Sequence, residues 1–118
     1  MPAQFLIERR LDYYSYTFIT DDDCILFFSR LYASLSDCKR GIAMLRDQVS
    51  LSRSIVKLQT GDDYTFCILN KKGELLGHSV VFFAASSRDY GIRKIVHQSG
   101  QARVKESTGS VRADEVAR

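Results

Sequence analysis

A chain of 118 residues, 45% apolar and 11% aromatic, is the size of one ordinary domain and carries enough apolar side chains to pack a core. Its 17 basic and 14 acidic residues leave a formal charge of +3, too slight and too dispersed for the clustered cationic face of a nucleic-acid or anionic-membrane binder. No apolar run approaches the roughly 20 residues needed to cross a bilayer, and MPAQFLIERRLD turns charged too early to read as a secretion signal.

The three cysteines, Cys24, Cys38 and Cys67, are odd in number and widely spaced, with no CxxC pair. Free thiols in a reducing cytoplasm are the expectation. Only His78 and His97 could join them around a metal, and no metal or other cofactor is expected.

A repeat organises the rest. Gly41-Ile42 recurs as Gly91-Ile92, a shift of 50 residues. The same shift aligns Asp12 with Asp62, Tyr14 with Tyr64, Leu26 with Leu76, Ser29 with Ser79, Ser36 with Ser86 and Gln48 with Gln98. Similar types coincide too: Tyr16 with Phe66, Phe18 with Ile68, Ile25 with Leu75, Tyr32 with Phe82 and Leu45 with Ile95. No gap is needed, so the pattern reads as two tandem βββα repeats, about 4–50 and 54–98, in a single domain spanning 1–98.

Each copy opens with a short strand, Gln4–Arg9 and then Ser54–Gln59. The second strand, Tyr13–Thr20 or Asp63–Asn70, alternates at period two. That alternation puts Tyr14, Tyr16 and Phe18, or Tyr64, Phe66 and Ile68, on one buried face. A tight turn follows. Gly73 can supply positive φ in the second copy, and Asp21-Asp22-Asp23 replaces it in the first, since Asp tolerates that geometry less well than Gly. The third strand is Cys24–Arg30 or Glu74–Val80.

A helix comes next. Ser34 with Asp37 makes an approximate capping box before the stripe Cys38, Ile42, Leu45, running to about Gln48. Ser86 and Asp89 are expected to cap the second helix, with Ile92, Ile95 and Val96 as its stripe. Gly41 and Gly91 repeat a helix-interior residue that costs about 1 kcal/mol against alanine, which points to close packing of helix on sheet. From Ser99 to Arg118 the apolar pattern stops, and a flexible tail is expected.

Aromatic alternation, a polar turn, S-x-x-aromatic and a Gly-Ile helix together resemble the YegP-like proteins, the DUF1508 or UPF0339 family of small bacterial proteins. The first copy carries the pattern as Tyr14-Ser15-Tyr16-Thr17-Phe18, Ser29-Arg30-Leu31-Tyr32 and Cys38-Lys39-Arg40-Gly41-Ile42. The second carries Tyr64-Thr65-Phe66-Cys67-Ile68, Ser79-Val80-Val81-Phe82 and Gly91-Ile92. The missing turn glycine in the first copy and Phe82 in place of tyrosine mark a divergent member. The resemblance covers about residues 4–98. It implies an α+β fold with one six-stranded antiparallel sheet and two helices packed on one face, the helices exchanged between units. It implies no reaction and no catalytic residues.

Candidate chemistry is thin. Ser29 and Ser79 occupy matched positions, but His78 adjoins Ser79 in a strand, where neighbours point to opposite faces, so it cannot serve as its base. His97 falls near a helix C-terminus, where a cationic ring favours the dipole. The run Asp21–Asp23 lacks the spaced oxygen ligands and glycine of a calcium loop, and reads as a turn. Apolar excess on the strands says more: Phe27 and Phe28 are adjacent, so both faces of that strand carry an aromatic. If helices cover one face, the other is a mixed surface of Tyr13, Ser15, Thr17, Ile19, Thr65, Cys67 and Leu69, the kind of patch that marks interaction sites. The expectation is a cytoplasmic, non-enzymatic module binding another protein or a second copy of itself, without nucleic acid or membrane. The alternatives are a single-stranded nucleic-acid binder that stacks bases on sheet aromatics such as Tyr13, or a small enzyme or ligand carrier.

Overall fold

The computed structural model describes residues 2–107. The elements in chain order are β1 (Gln4–Arg10), β2 (Tyr13–Ile19), β3 (Ile25–Ser29), α1 (Leu35–Gln48), a 3-10 turn (Ser52–Ser54), β4 (Ile55–Thr60), β5 (Asp63–Leu69), β6 (Leu75–Ser79), α2 (Ala85–Gln98), a second 3-10 turn (Ser99–Gln101) and β7 (Arg103–Glu106). The sheet runs in the order β4-β5-β6-β3-β2-β1-β7. Every pairing is antiparallel except that of β1 with β7, which is parallel.

The sheet is therefore mixed and seven-stranded, not six-stranded and antiparallel. The extra strand lies where a flexible tail is expected, so that expectation fails for residues 99–107; residues 108–118 lie outside the described residues. The physical reason is an open backbone edge on β1. Arg103 donates its amide to the Ala3 carbonyl at 3.0 Å and Ser107 to that of Ile7 at 2.8 Å. Arg46 of α1 holds the approach, with its guanidinium donating to the carbonyls of Ser99 and Ala102.

Element spans recur at the 50-residue shift: β5, β6 and α2 begin and end 50 positions after β2, β3 and α1. Backbone detail recurs with them. In the first turn Thr20 donates its amide to the Cys24 carbonyl (2.9 Å) and Asp23 to that of Thr20 (3.0 Å). In the second, Asn70 donates to Glu74 (2.9 Å) and Gly73 to Asn70 (3.0 Å). Asp23 adopts φ 68° and Gly73 φ 81°, so the aspartate accepts the left-handed conformation that glycine takes freely. Both hairpins shift register between the core-facing and last residues of β2 and β5, which leaves Leu26 and Leu76 as bulged, buried residues.

One core joins the halves. Phe5 and Ile7 of β1, Tyr16 and Phe18 of β2, Phe27 of β3, and Phe66 and Ile68 of β5 pack with Cys38, Ile42 and Leu45 of α1 and Ile95 of α2. Burying each such large side chain is worth about 1.5–3 kcal/mol, against about 0–1 kcal/mol for an exposed ion pair. The core therefore dominates over surface pairs such as Lys39–Glu106. α1 lies against β2 and also β5; α2 lies against β5, and Leu26 of β3 packs beneath its Gly91. The helices thus straddle the two halves rather than trading places.

The first cap forms as expected, with Ser34 Oγ accepting from the Asp37 amide at 3.1 Å. The second does not. α2 starts at Ala85, before Ser86, and its N-cap Ala84 offers no side-chain acceptor. Ala84 stands where the first copy has Ser34, and packing of Gly91 over Phe82 sets the helix register without a cap. Val96, expected in the buried stripe, is 36% exposed, because the buried line on α2 runs through Gly91 and Ile95.

Gly77 sits at the junction of the halves. A Cβ there would meet the Phe28 carbonyl oxygen and, at 2.6 Å, two carbons of the Phe27 ring. Backbone cannot yield as a flexible side chain can. Gly77→Ala should cost about 1–3 kcal/mol by overpacking, a melting shift of very roughly 4–8 °C per kcal/mol. Gly100→Ala, which meets nothing within 4 Å, is the control in the same thermal melts and should leave the midpoint nearly unchanged.

Candidate functional site

Both helices cover the face that bears Phe18 and Phe66. Alternation leaves the opposite face open, and the strand register builds a continuous row across it. Lys105 pairs with Leu6, Leu6 with Thr17, Thr17 with Phe28, Phe28 with His78, His78 with Cys67, and Cys67 with Val56. Phe28 and His78 are 50-shift equivalents, so a pseudo-twofold axis passes between them. Their ring centroids lie 5.9 Å apart at 43°. Flanking rows place Ile19 against Ile25 and Thr65 against Leu58 on one side, Ser15 against Glu8 and Leu69 against Leu75 on the other.

The expected surface residues thus lie on one face, but they do not form one cluster. Thr17 and Cys67 share the central row, separated by Phe28 and His78. Thr17 is only 9% exposed, because Leu6 and Phe28 flank it. Ile19 and Leu69 belong to opposite ends, and Tyr13 lies at the outer end of β2 opposite Arg10. The residues missing from the expected set are Leu6, Phe28, His78 and Val56. Alternation within each strand marks their face, but only the order of strands makes them neighbours.

The two matched serines have structural work. Ser79 Oγ accepts from the Phe66 amide at 3.0 Å and donates to the Val80 carbonyl at 2.7 Å. Ser29 Oγ does the same for Tyr16 (2.8 Å) and Arg30 (2.7 Å). Each hydroxyl patches the ladder where its hairpin strands diverge. His78 Nδ1 sits 3.1 Å from the Ser79 backbone carbonyl, on the face away from the Ser79 hydroxyl. Ser79→Ala would orphan a buried amide, so it should destabilise by about 1–3 kcal/mol in urea titration. Ser29→Ala, at a less buried site, should cost less.

The aspartate run is tied up in its turn. Asp22 accepts from the Thr20 hydroxyl. Asp21 accepts from Lys94 Nζ at 3.1 Å and Gln98 Nε2 at 3.0 Å, and these bonds hold its carboxyl below the usual carboxylate range. Among the described residues, no three His, Cys, Asp or Glu side chains assemble into a metal-binding group. His97 is exposed in the last turn of α2. Burial pushes the Cys38 thiol up to about 11 and raises that of Cys67, which disfavours the nucleophilic thiolate at both.

Beneath α1 lies a second asymmetry. Tyr16 and Tyr32 stack with centroids 6.4 Å apart and planes at 16°, and Phe66 and Phe82 repeat the pair at 6.4 Å and 14°. Burial drives the Tyr16 phenol well above its ordinary range, with Tyr32 and Cys38 adding to it. Neither phenol oxygen has a hydrogen-bond partner among the described residues. A buried hydroxyl without a partner carries its desolvation cost uncompensated. Tyr16→Phe, which copies Phe66, should therefore leave stability unchanged or raise it by about 1 kcal/mol in the same titration.

An α+β sheet with both helices on one face, and its two halves joined at a central antiparallel pair, is a fold shared with solved structures. The chain is similar to the UPF0339 protein SO3888 from Shewanella oneidensis at a TM-score of 0.84 and 16% identity, over 90% of this chain and 92% of that one. It is equally similar to yegP from E. coli, a protein of unknown function, at a TM-score of 0.84 and 22% identity, over 92% and 96%. The chain has the YegP-like fold. No family model matches the sequence, and no curated protein matches it. No helix among the described residues is long and apolar enough to cross a membrane.

Proposed function

We propose that this chain is a divergent YegP-like protein whose halves descend from one duplicated βββα unit, and that it is a non-enzymatic, cytoplasmic module binding protein through its open sheet face. The observation that carries the reading is the transverse row from Leu6 to Val56. It is apolar apart from Thr17 and His78, runs across six hydrogen-bonded strands, and is bordered by Ile25 at 53% exposure and by Leu58 and Leu75 at 45% each. A contiguous apolar surface of that kind is the usual mark of a protein-binding face.

Two features favour this over its rivals. Ser29 and Ser79 are committed to backbone, and the two more buried thiols are held protonated. On the open face the aromatic rings are Tyr13, at one end, and the single pair Phe28 and His78, at the centre, which gives successive stacked bases no continuous platform.

The test uses a photo-reactive side chain introduced at His78 on the open face or at Arg40 on the exposed surface of α1. Irradiation in a lysate of the cells that make the protein should yield discrete protein adducts from position 78 and none from position 40. Equal labelling from both positions, or none from either, overturns the reading.

A further inference from the structure

The open face is broad, and its breadth narrows what can cover it. Six strand spacings of about 4.8 Å make it roughly 29 Å wide, and strands of about six residues make it roughly 20 Å long. That is about 600 Å² of flat area. A single helix, about 10 Å across, would cover about a third of it. A second sheet of the same size would cover all of it, and two such faces would bury about 1,200 Å², the lower bound for a stable specific interface.

The sheet edges are poor alternatives. On β4, Arg88 of α2 donates to the Leu58 carbonyl at 3.2 Å, and Lys57 pairs with Asp89 at 3.2 Å. A strand arriving there would have to displace these side chains. On the other edge β7 is Arg103-Val104-Lys105-Glu106, and charge along an edge opposes further pairing.

Charge then selects the occupant. Register with β1 places Arg103 and Lys105 on the open face at one margin, and neither has an ion pair among the described residues. At the opposite margin Asp63 begins β5 on the same face, with Asp62 beside it in the turn, and neither of them has an ion pair among the described residues. Glu8 and Arg10, on the same face of β1, offset each other at 3.5 Å, and the central strands β2, β3 and β6 carry no carboxylate or ammonium group there. A surface that is apolar in the middle, cationic at one margin and anionic at the other is complementary to itself when a copy is turned over about an axis parallel to the strands. That operation sets the β1–β7 margin of one copy against the β4–β5 margin of the other.

We infer that the occupant of the open face is a second copy of this chain, packed sheet on sheet as an isologous dimer, with Arg103 of each copy near Asp63 of the other. Aligned sheets packing about 10 Å apart at roughly −30° give the geometry. The inference rests on the reading of the open face as a protein-binding surface and specifies its partner.

Sedimentation equilibrium of the full chain at low salt should give twice the chain mass. Leu58→Lys, at an exposed position, should shift the chain toward monomer with its thermal midpoint retained. Asp63→Arg and Arg103→Asp should each raise the dimer dissociation constant about 3–10-fold, and the two together should restore it, since only a pair that meets across the interface is rescued by exchange. A chain that stays monomeric at high concentration overturns the dimer, as does a dimer indifferent to Leu58→Lys and to both charge exchanges. Adducts from position 78 heavier or lighter than two chains, with a monomeric parent, overturn self-association alone and leave the open face as a binding surface; no adducts at all remove both.

Discussion

The architecture turns on one short antiparallel contact, the pairing of β3 with β6. It has three registered pairs, Phe27 with Ser79, Phe28 with His78 and Ser29 with Gly77, and these stitch the halves into one sheet. Just beyond it, Arg30 donates to the Leu76 carbonyl and Val80 to that of Leu26, each at 3.0 Å. The contact is symmetric about its middle pair, yet one member of each equivalent pair differs. Phe27 faces the core, while its 50-shift counterpart is Gly77, over which the Phe27 ring lies. Two phenylalanines there would compete for one space, so the first half supplies the ring and the second the room for it.

The rest of the core follows from that junction. With β3 and β6 central, β2 and β5 become symmetric flanks, each with a stacked aromatic pair leading to the helix above. Tyr32 and Phe82 return to those flanks through isolated bridges to Tyr14 and Tyr64, and each ring lies close to a helix glycine, Gly41 or Gly91. The glycines recur because each ring sits where a Cβ would project. Repetition of backbone with divergence of side chain is the general pattern. Tyr16 and Tyr32 carry phenols where Phe66 and Phe82 have none, and Cys38 stands in the position of Arg88, whose side chain reaches the Leu58 carbonyl instead of entering the core.

What the sequence could disclose depended on whether a signal was local. The alternation of Tyr14, Tyr16 and Phe18, the Ser34 cap and the turn at Gly73 are short-range patterns that each mark an element that forms, and the 50-residue ladder carries the same element pattern to the second half. β7 leaves no mark in the sequence because all four of its residues are exposed and nothing alternates between buried and solvated. Its strand character comes only from the free edge of β1, which is a tertiary fact. The start of α2 is not marked locally, because its register is set from below, by Phe82 and Leu26, rather than by a capping side chain. The central row was hidden for a similar reason. Phe28 was visible as an open-face aromatic, but its meeting with His78 depends on which strands lie side by side.

The parallel pairing of β1 with β7 has a temporal side. Gln4 and Arg103 are partners drawn from nearly opposite ends of the described chain, so the loop they close takes in nearly all of the described residues. Local hairpins such as β2–β3 can form while synthesis is under way, but β1 keeps one naked flank until residues beyond α2 exist. Arg46, which grips the carbonyls of Ser99 and Ala102 from α1, offers a landing point for that late segment. Through most of its own making, then, the nascent chain exposes a strand edge able to recruit a neighbour on the same messenger, and completion of the domain is what withdraws it.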